Sequence, residues 1–218
     1  MIVVYAKLDE GDGTPVRDRQ VLTFVLDKGM PLVGHSWGND VTTEVARWTS
    51  YVKRIVVLGQ GPSYAPGVAH VPRASALLTI PLLVRLQSLA PNTLLRVPLS
   101  LGFAPGFRHE AAFEDPHQAY RDLRSTDHRI PRVVIHHRRA DLAEDGRDER
   151  LADLALPAPV ILGREDRFYP WAPAQRLYEA AGARVVVLDE VGHSVQVEHP
   201  VAVAGLIRDF INAEEALP

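Results

Sequence analysis

The sequence predicts an α/β fold with a mainly parallel sheet flanked by helices. The first observation is that short β-branched apolar runs alternate with helical patterns, which favours strands running in one direction. The second is that each run has about the length of a strand and is bounded by glycine, proline or charge, as in strands covered on both faces. The third is a length of 218 residues, 46% of them hydrophobic, which suffices for one packed domain with an insertion.

Four runs are the main strand candidates, and a fifth is weaker. The four are MPLVGHS at 30–36, RIVVLGQG at 54–61, PVILGRED at 159–166 and ARVVVLDEVGH at 183–193. The fifth, IVVYA at 2–6, could equally open a helix.

Helical patterns lie between and after these runs. The segment 15–29 has apolar residues at 21, 22, 25 and 26 followed by a glycine stop, and we expect a helix there. Further helices are predicted at 40–50, 170–183 and 199–215, the last with Pro200 at a first helical position.

The middle of the chain differs from the rest. Residues 72–150 contain prolines, apolar helical stretches and a charged second half, without a convincing strand. We interpret them as a mostly helical cap inserted between two parts of the α/β core, 1–71 and 151–218. The most apolar stretch, 74–107, is interrupted by prolines and arginines, so it is not expected to span a membrane.

The amino-acid composition excludes several kinds of functional site. There is no cysteine, which excludes disulfides, thiolate zinc sites and a cysteine nucleophile. The net charge of −3 gives no sign of nucleic-acid or membrane-surface binding. The N-terminus lacks a basic region followed by a long apolar one, so no signal peptide is expected and a cytoplasmic location is favoured. No cofactor or metal site is predicted.

The stretch Gly34-His35-Ser36-Trp37-Gly38 fits the pattern G-x-S-x-G between a predicted strand and a predicted helix. A serine on such a sharp turn has strained backbone geometry, and the residues two positions away must be small. The turn lifts the hydroxyl clear of the sheet, and the following helix directs N–H groups at a developing oxyanion. The plain alternative is a serine in an ordinary strand-to-helix loop.

A serine nucleophile needs a base and an orienting carboxylate, and two later segments contain them. Asp166 follows the strand at 159–166, and His193 lies in the loop after the last strand. All three positions are at carboxyl ends of predicted parallel strands, where open α/β sheets place their sites. Asp189 and Glu190 are alternative acids, since both are close to His193 in sequence.

Taken together, these segments resemble the α/β-hydrolase superfamily. LVGHSWGN matches its nucleophile elbow, PVILGREDRFYP its acid loop, and DEVGHSVQVEHPVAVAGLIRDFI its histidine loop and final helix. The resemblance implies that Ser36 is the nucleophile, His193 the general base and then acid, and Asp166 its orienter. It also implies that the backbone N–H of Trp37 donates to the oxyanion, and that branches with an aspartate nucleophile are excluded.

Other polar residues receive structural interpretations. His35 is expected to pack or hydrogen-bond under the elbow, and His199 to begin the last helix. His136-His137 is only a weak metal or anion candidate, and a solvated face is favoured. Gly11-Asp12-Gly13 is not a phosphate loop, because no G-x-x-x-x-G-K-[ST] is present.

The segment before the elbow departs from the family pattern. Superfamily members have several strands there and an HG-type loop that donates a second oxyanion N–H. Residues 1–29 are predicted to hold one strand and one helix, without such a loop. Three explanations remain open: an incomplete gene model, a homodimer through the exposed sheet edge, or a shortened relative with little activity.

The leading functional hypothesis is a serine hydrolase that cleaves a small ester, thioester or amide. The apolar stretch 74–107 indicates a small-molecule substrate with an apolar group. Trp37 beside the serine also allows a prolyl-aminopeptidase-like peptidase. The hypothesis from another class is a hydrolase-like protein without catalysis that binds a ligand or partner.

Overall fold

Four of the predicted runs form one parallel sheet. The protein is seen in a computed structural model that describes residues 2–5, 21–24, 31–64, 67–69, 80–127, 130, 133 and 142–215. The sheet contains β3 (Pro31–His35), β4 (Arg54–Leu58), β5 (Val160–Gly163) and β6 (Val185–Leu188), in that spatial order and all parallel. The predicted α/β fold with a mainly parallel sheet is therefore confirmed.

Two further strands lie outside this sheet. β1 (Ile2–Tyr5) and β2 (Val21–Phe24) pair with each other in antiparallel register. The expected helix at 15–29 is wrong at 21–24, and the rest of that segment lies outside the described residues. The physical reason is that Val-Leu-Thr-Phe is rich in β-branched and aromatic residues, and a short apolar run does not distinguish strand from helix until a partner strand pairs with it.

The helices flank the sheet and occupy the middle of the chain. Those that surround it are α1 (Gly38–Trp48), α6 (Trp171–Ala180), α7 (Val195–Glu198) and α8 (Pro200–Glu215). Those between β4 and β5 are α2 (Pro81–Gln87), α3 (Asn92–Ser100), α4 (Gln118–Ser125) and α5 (Arg147–Leu154), with a 3₁₀ turn at His109–Ala111. None of the described helices combines the length and apolar character needed to cross a membrane.

The core lies on both faces of the sheet, because successive side chains of a strand point in opposite directions. In β4, Ile55 and Val57 pack into one apolar cluster with residues of α1, α5 and α6, whereas Val56 and Leu58 pack into a second cluster with residues from α7 and α8. This explains why the two central strands, β4 and β5, are mostly apolar rather than alternating.

A buried arginine fixes α5 against α1, the helix that follows the serine turn. The Arg147 guanidinium donates to Thr43 Oγ1 at 3.2 Å and pairs with Asp40, and its backbone N–H donates to the carbonyl of Pro62 at 2.9 Å. A buried guanidinium is tolerated only when charge and hydrogen bonds compensate its desolvation. The return of the chain into β5 is thereby tied to the segment that carries Ser36.

Candidate active site

Ser36 lies in the turn between β3 and α1, and its backbone has a φ of 51°. A residue with a side chain adopts this left-handed region at a cost of about 1–3 kcal/mol, so the surroundings must hold it there. The Ser36 N–H donates to the carbonyl of Leu58 at 3.1 Å, and the Ser36 carbonyl accepts from the Asn39 N–H at 3.0 Å. The first bond anchors the serine turn to the end of the neighbouring strand β4, and the second closes the turn itself.

Asn39 reinforces this anchor with its side chain. Its Nδ2 donates to the carbonyl of Ser36 and to that of Leu58, both at 3.0 Å, and the residue is fully buried. The same amide therefore joins the serine turn to the end of β4 by two hydrogen bonds. The sequence analysis did not identify this role, although an asparagine immediately after the G-x-S-x-G pattern was visible.

The two glycines of the pattern are not equivalent. A Cβ on Gly34 would lie 2.7 Å from Asn39 Cα and 2.7 Å from Asn39 Oδ1, so a larger residue does not fit. A Cβ on Gly38 would meet no heavy atom within 4 Å in the described part of the chain. The expectation that both neighbours must be small is confirmed for Gly34, whereas no atom of the described residues requires it at Gly38.

His193 and Asp166 form a buried pair near this turn. His193 Nδ1 lies 2.9 Å from Asp166 Oδ2, and both residues are buried. An ionised carboxylate can only accept, so Nδ1 donates to it, and in the neutral imidazole Nε2 then keeps its lone pair. The arrangement can therefore offer an oriented imidazole base whose positive charge, once formed, faces a carboxylate.

The acid loop holds the Asp166 carboxylate in place. Its other oxygen, Oδ1, accepts the backbone N–H groups of Phe168 at 2.7 Å and Tyr169 at 3.1 Å. One oxygen thus orients the histidine while the other is fixed by the loop that carries it. This division keeps the carboxylate from rotating away from the imidazole.

The alternative acids are directed elsewhere. Asp189 pairs with Arg164 at the surface, and its side chain is 74% exposed. Glu190 is exposed and occupies a turn position with a φ of 59°. Of the carboxylates weighed in the sequence, Asp166 is the one that the structure brings against His193.

His35 connects the serine turn to the histidine loop. Its Nε2 donates to the carbonyl of His193 at 3.0 Å, and the two rings lie 4.9 Å apart. Burial, and next the neighbouring His193, lower the pKa of His35 from 6.5 to about 4. At neutral pH His35 is therefore uncharged, and it does not repel a positive charge that forms on His193.

Close backbone packing and aromatic rings surround His193. The Phe168 ring meets the His193 ring edge-on at 5.0 Å, and the Tyr169 ring lies 5.8 Å away. Gly59, which directly follows β4, leaves no room for a Cβ, because such an atom would overlap the His193 carbonyl oxygen. The role of Gly59 was not predicted, although a glycine directly after an apolar strand is a signal for such a close approach.

The remaining predicted residues have these positions. Trp37 precedes the first residue of α1, so its backbone lies at the positive end of the helix dipole. His199 precedes Pro200, and its carbonyl accepts the N–H of Val203, which agrees with its expected place at the start of the last helix. His136-His137 and Gly11-Asp12-Gly13 lie outside the described residues. Within the described part of the chain, no three His, Asp or Glu residues are grouped as metal ligands.

Known proteins resemble this chain in fold and in part of its sequence. A hydrolase from Pseudomonas aeruginosa PA01 superposes with a TM-score of 0.62 and 22% identity over 84% of this chain and 65% of its own. An esterase from Exiguobacterium antarcticum superposes with a TM-score of 0.58 and 17% identity over 85% of this chain and 67% of its own. The chain thus spans about two thirds of the length of these structures.

A curated relative matches over a shorter stretch. It is RutD of Pseudomonas savastanoi pv. phaseolicola, which is named as a proposed carbamate hydrolase. It is 35% identical over 65 residues, which are 29% of this chain and 25% of the relative. A sequence model described as the Alpha/beta hydrolase family matches residues 11–206, and so most of the chain. On this match, together with the parallel sheet and the serine turn, the chain belongs to the Alpha/beta hydrolase family.

Proposed function

We propose that the protein is a serine hydrolase that cleaves a small ester, thioester or amide through an acyl-enzyme on Ser36. The observation that carries this proposal is the buried His193–Asp166 pair, whose histidine is joined through His35 to the turn holding Ser36. A nucleophile elbow and an oriented imidazole are the two parts that acyl transfer requires.

The steps follow from the tautomer of His193. The Ser36 hydroxyl oxygen attacks the carbonyl carbon, and its proton passes to His193 Nε2. The resulting oxyanion faces the start of α1, where the Trp37 N–H donates to it. When the intermediate collapses, the leaving group takes the proton from His193. Water then attacks the acyl carbon, gives a proton to His193 and releases the acid, and that proton returns to Ser36.

The proposed substrates form a broad chemical class rather than one compound. Ester, thioester and amide all form the same tetrahedral oxyanion, and a carbamate, suggested by the name of the RutD relative, does so as well. The apolar character of the stretch 74–107 is the reason for proposing an apolar group on the acyl or alcohol side. A series of p-nitrophenyl esters with acyl chains of increasing length tests this preference.

Labelling with a fluorophosphonate tests the nucleophile directly. We expect the wild-type protein to be labelled, Ser36→Ala to be unlabelled, and His193→Ala to be labelled far more slowly, because the hydroxyl then lacks its base. Ser88→Ala is the matched control. Ser88 is exposed at the C-terminal end of α2, and its hydroxyl donates to the Arg85 carbonyl. It should be labelled at the wild-type rate.

The same experiment separates the alternatives. Undiminished labelling of Ser36→Ala would disprove the assignment of the nucleophile. If the correctly folded wild type is neither labelled nor active on short esters, the non-catalytic binding protein is the better description. The prolyl-aminopeptidase-like alternative predicts faster release of proline from a proline arylamide than of acetate from p-nitrophenyl acetate.

A further inference from the structure

A second buried carboxylate, Glu198, lies beside the histidine loop and has no part in the steps above. It is the last residue of α7, and it is buried. Its Oε1 accepts the backbone N–H of Gly192 at 2.9 Å, and its Oε2 accepts the backbone N–H of Ala104 at 2.8 Å. One carboxylate therefore joins the residue before His193 to a cap segment 94 positions away in the chain.

The other side of His193 has a similar link. The Ser194 N–H donates to the carbonyl of Gly102 at 3.0 Å. His193 is thus flanked by two attachments to the same cap segment, residues 102–104, which begins two residues after the end of α3. Gly192 also packs tightly there, because a Cβ on it would overlap the backbone of Phe103 and Ala104. The histidine loop and this cap segment are held as one unit.

We propose that Glu198 is a positioning residue for His193, and that through it the cap segment 102–104 sets the location of the catalytic imidazole. The inference rests on the proposed function, since it assigns Glu198 an effect on the reaction through His193. A small displacement of a catalytic group is costly even when its chemistry is intact, and a misplacement of about 1 Å can cost ~10²-fold in rate.

The electrostatics of Glu198 agree with this role. Burial raises the pKa of Glu198 and the nearby Asp166 charge raises it further, whereas its backbone N–H donors lower it. A carboxylate held in such a place is costly unless its hydrogen bonds are made. The bonds to Gly192 and Ala104 are thus the reason that the carboxylate can be buried so close to the His193–Asp166 pair.

Graded variants of Glu198 test the proposal. Glu198→Gln keeps one acceptor oxygen but turns an N–H₂ group toward the other backbone N–H, and Glu198→Ala removes both acceptors. We expect the fluorophosphonate labelling rate of Ser36 to fall about 10-fold in Glu198→Gln and about 10²-fold in Glu198→Ala. In steady-state assays with p-nitrophenyl acetate, kcat should fall while KM stays nearly constant.

Two controls distinguish positioning from simple loss of stability. Leu151→Ala removes a buried side chain of α5 and lowers the melting temperature, but it touches neither loop, so its labelling rate at 25 °C should stay at the wild-type value. In a His193→Ala background, Glu198→Ala should slow labelling no further, because the residue acts through His193.

The outcomes are separable. Wild-type labelling of Glu198→Ala beside slow labelling of His193→Ala would overturn this inference alone. Equal slowing by Glu198→Ala with and without His193, or equal slowing by Leu151→Ala, would also overturn it. Wild-type labelling of His193→Ala would overturn the proposed triad, and the positioning role with it.

Discussion

The strand ends that carry the candidate site and the helices α2 and α3, which lie between β4 and β5, differ in where their apolar side chains lie. The strand residues Val56, Val57 and Val160 are fully buried. Six large apolar residues of the α2–α3 segment are instead exposed: Leu82, Leu83, Leu86, Leu89, Leu94 and Val97. Around the site, moreover, buried polar side chains form hydrogen bonds with backbone groups. Asn39, Asp166 and Glu198 each do so.

The difference shows which parts of this chain are constrained. At the strand ends the backbone is held by specific hydrogen bonds and by contacts too close for a Cβ, so small substitutions there should lower stability or activity. On the described outer surface of α2 and α3, side chains meet solvent, and substitutions should matter little. Substitutions in the two regions should therefore differ in their effects on activity and stability.

The largest effect is expected from Asp166→Asn. The amide keeps the shape but carries no charge, and its N–H₂ group can turn toward His193 or toward the backbone N–H groups of Phe168 and Tyr169. In a serine triad this change typically lowers kcat by about 10⁴-fold. We expect a loss of that order, measured as kcat on p-nitrophenyl acetate, with the fold retained by circular dichroism.

Asp189→Asn is the matched control for that variant. Asp189 precedes His193 by a few residues but is directed to Arg164 at the surface. Its removal should change kcat less than about twofold, because an exposed ion pair contributes little. A large loss in Asp189→Asn with a small one in Asp166→Asn would reverse the assignment of the acid.

The next effect concerns pH and His35. The pKa of His35 is about 4 in the folded protein against 6.5 for the exposed residue. As pH falls from 7, the unfolded chain therefore takes up this proton first, so the stability contributed above pH 6.5 is lost toward pH 4. The loss between pH 7 and 4 is about 3 kcal/mol of unfolding free energy.

His35→Gln isolates this contribution. The glutamine amide can still donate to the His193 carbonyl but does not titrate. Urea unfolding at pH 7, 5.5 and 4 should show a smaller acid loss in His35→Gln than in the wild type, by about 3 kcal/mol. Parallel pH profiles for the two proteins would mean that His35 is not held neutral by burial.

A smaller effect separates the two glycines of the serine turn. In Gly34→Ala the new methyl group would lie 2.7 Å from Asn39 Cα, and relieving this overlap should cost about 2 kcal/mol of unfolding free energy. Gly38→Ala has open space and a helical position, so it should be neutral or stabilising by about 0.5–1 kcal/mol. Thermal melts of both variants measure the difference, and equal destabilisation would contradict the packing described here.

Much of the α/β core could be predicted because local signals and the fold agree. The strand ending at His35 and the helix beginning at Pro200 are both visible in composition and turn residues. Asp166 and His193 could be proposed because parallel strands bring their carboxyl ends to one edge. Gly34 could be identified because a strained serine turn leaves no room beside it.

What could not be predicted depends on contacts between distant segments. Val21–Phe24 was expected to be helical because its apolar residues fit either period until pairing with Ile2–Tyr5 makes it a strand. The link from Glu198 to Ala104 has no local signal, since a glutamate near a helix start is ordinarily a surface residue. The room for a Cβ at Gly38 among the described residues likewise depends on which residues face the start of α1, and a local sequence pattern does not specify those neighbours.

The smallest effect is expected just after α2. Leu89 is 80% exposed, and Leu89→Gln should change the unfolding free energy by less than about 0.5 kcal/mol. Val57→Ala, at a fully buried position of β4, should cost roughly 2 kcal/mol, because the cavity cannot close between packed layers. Urea unfolding of the two variants at pH 7 measures both. A loss above about 1 kcal/mol in Leu89→Gln would show that another part of the protein covers this surface in solution, and the contrast between the α2–α3 segment and the sheet would then be smaller than their exposures indicate.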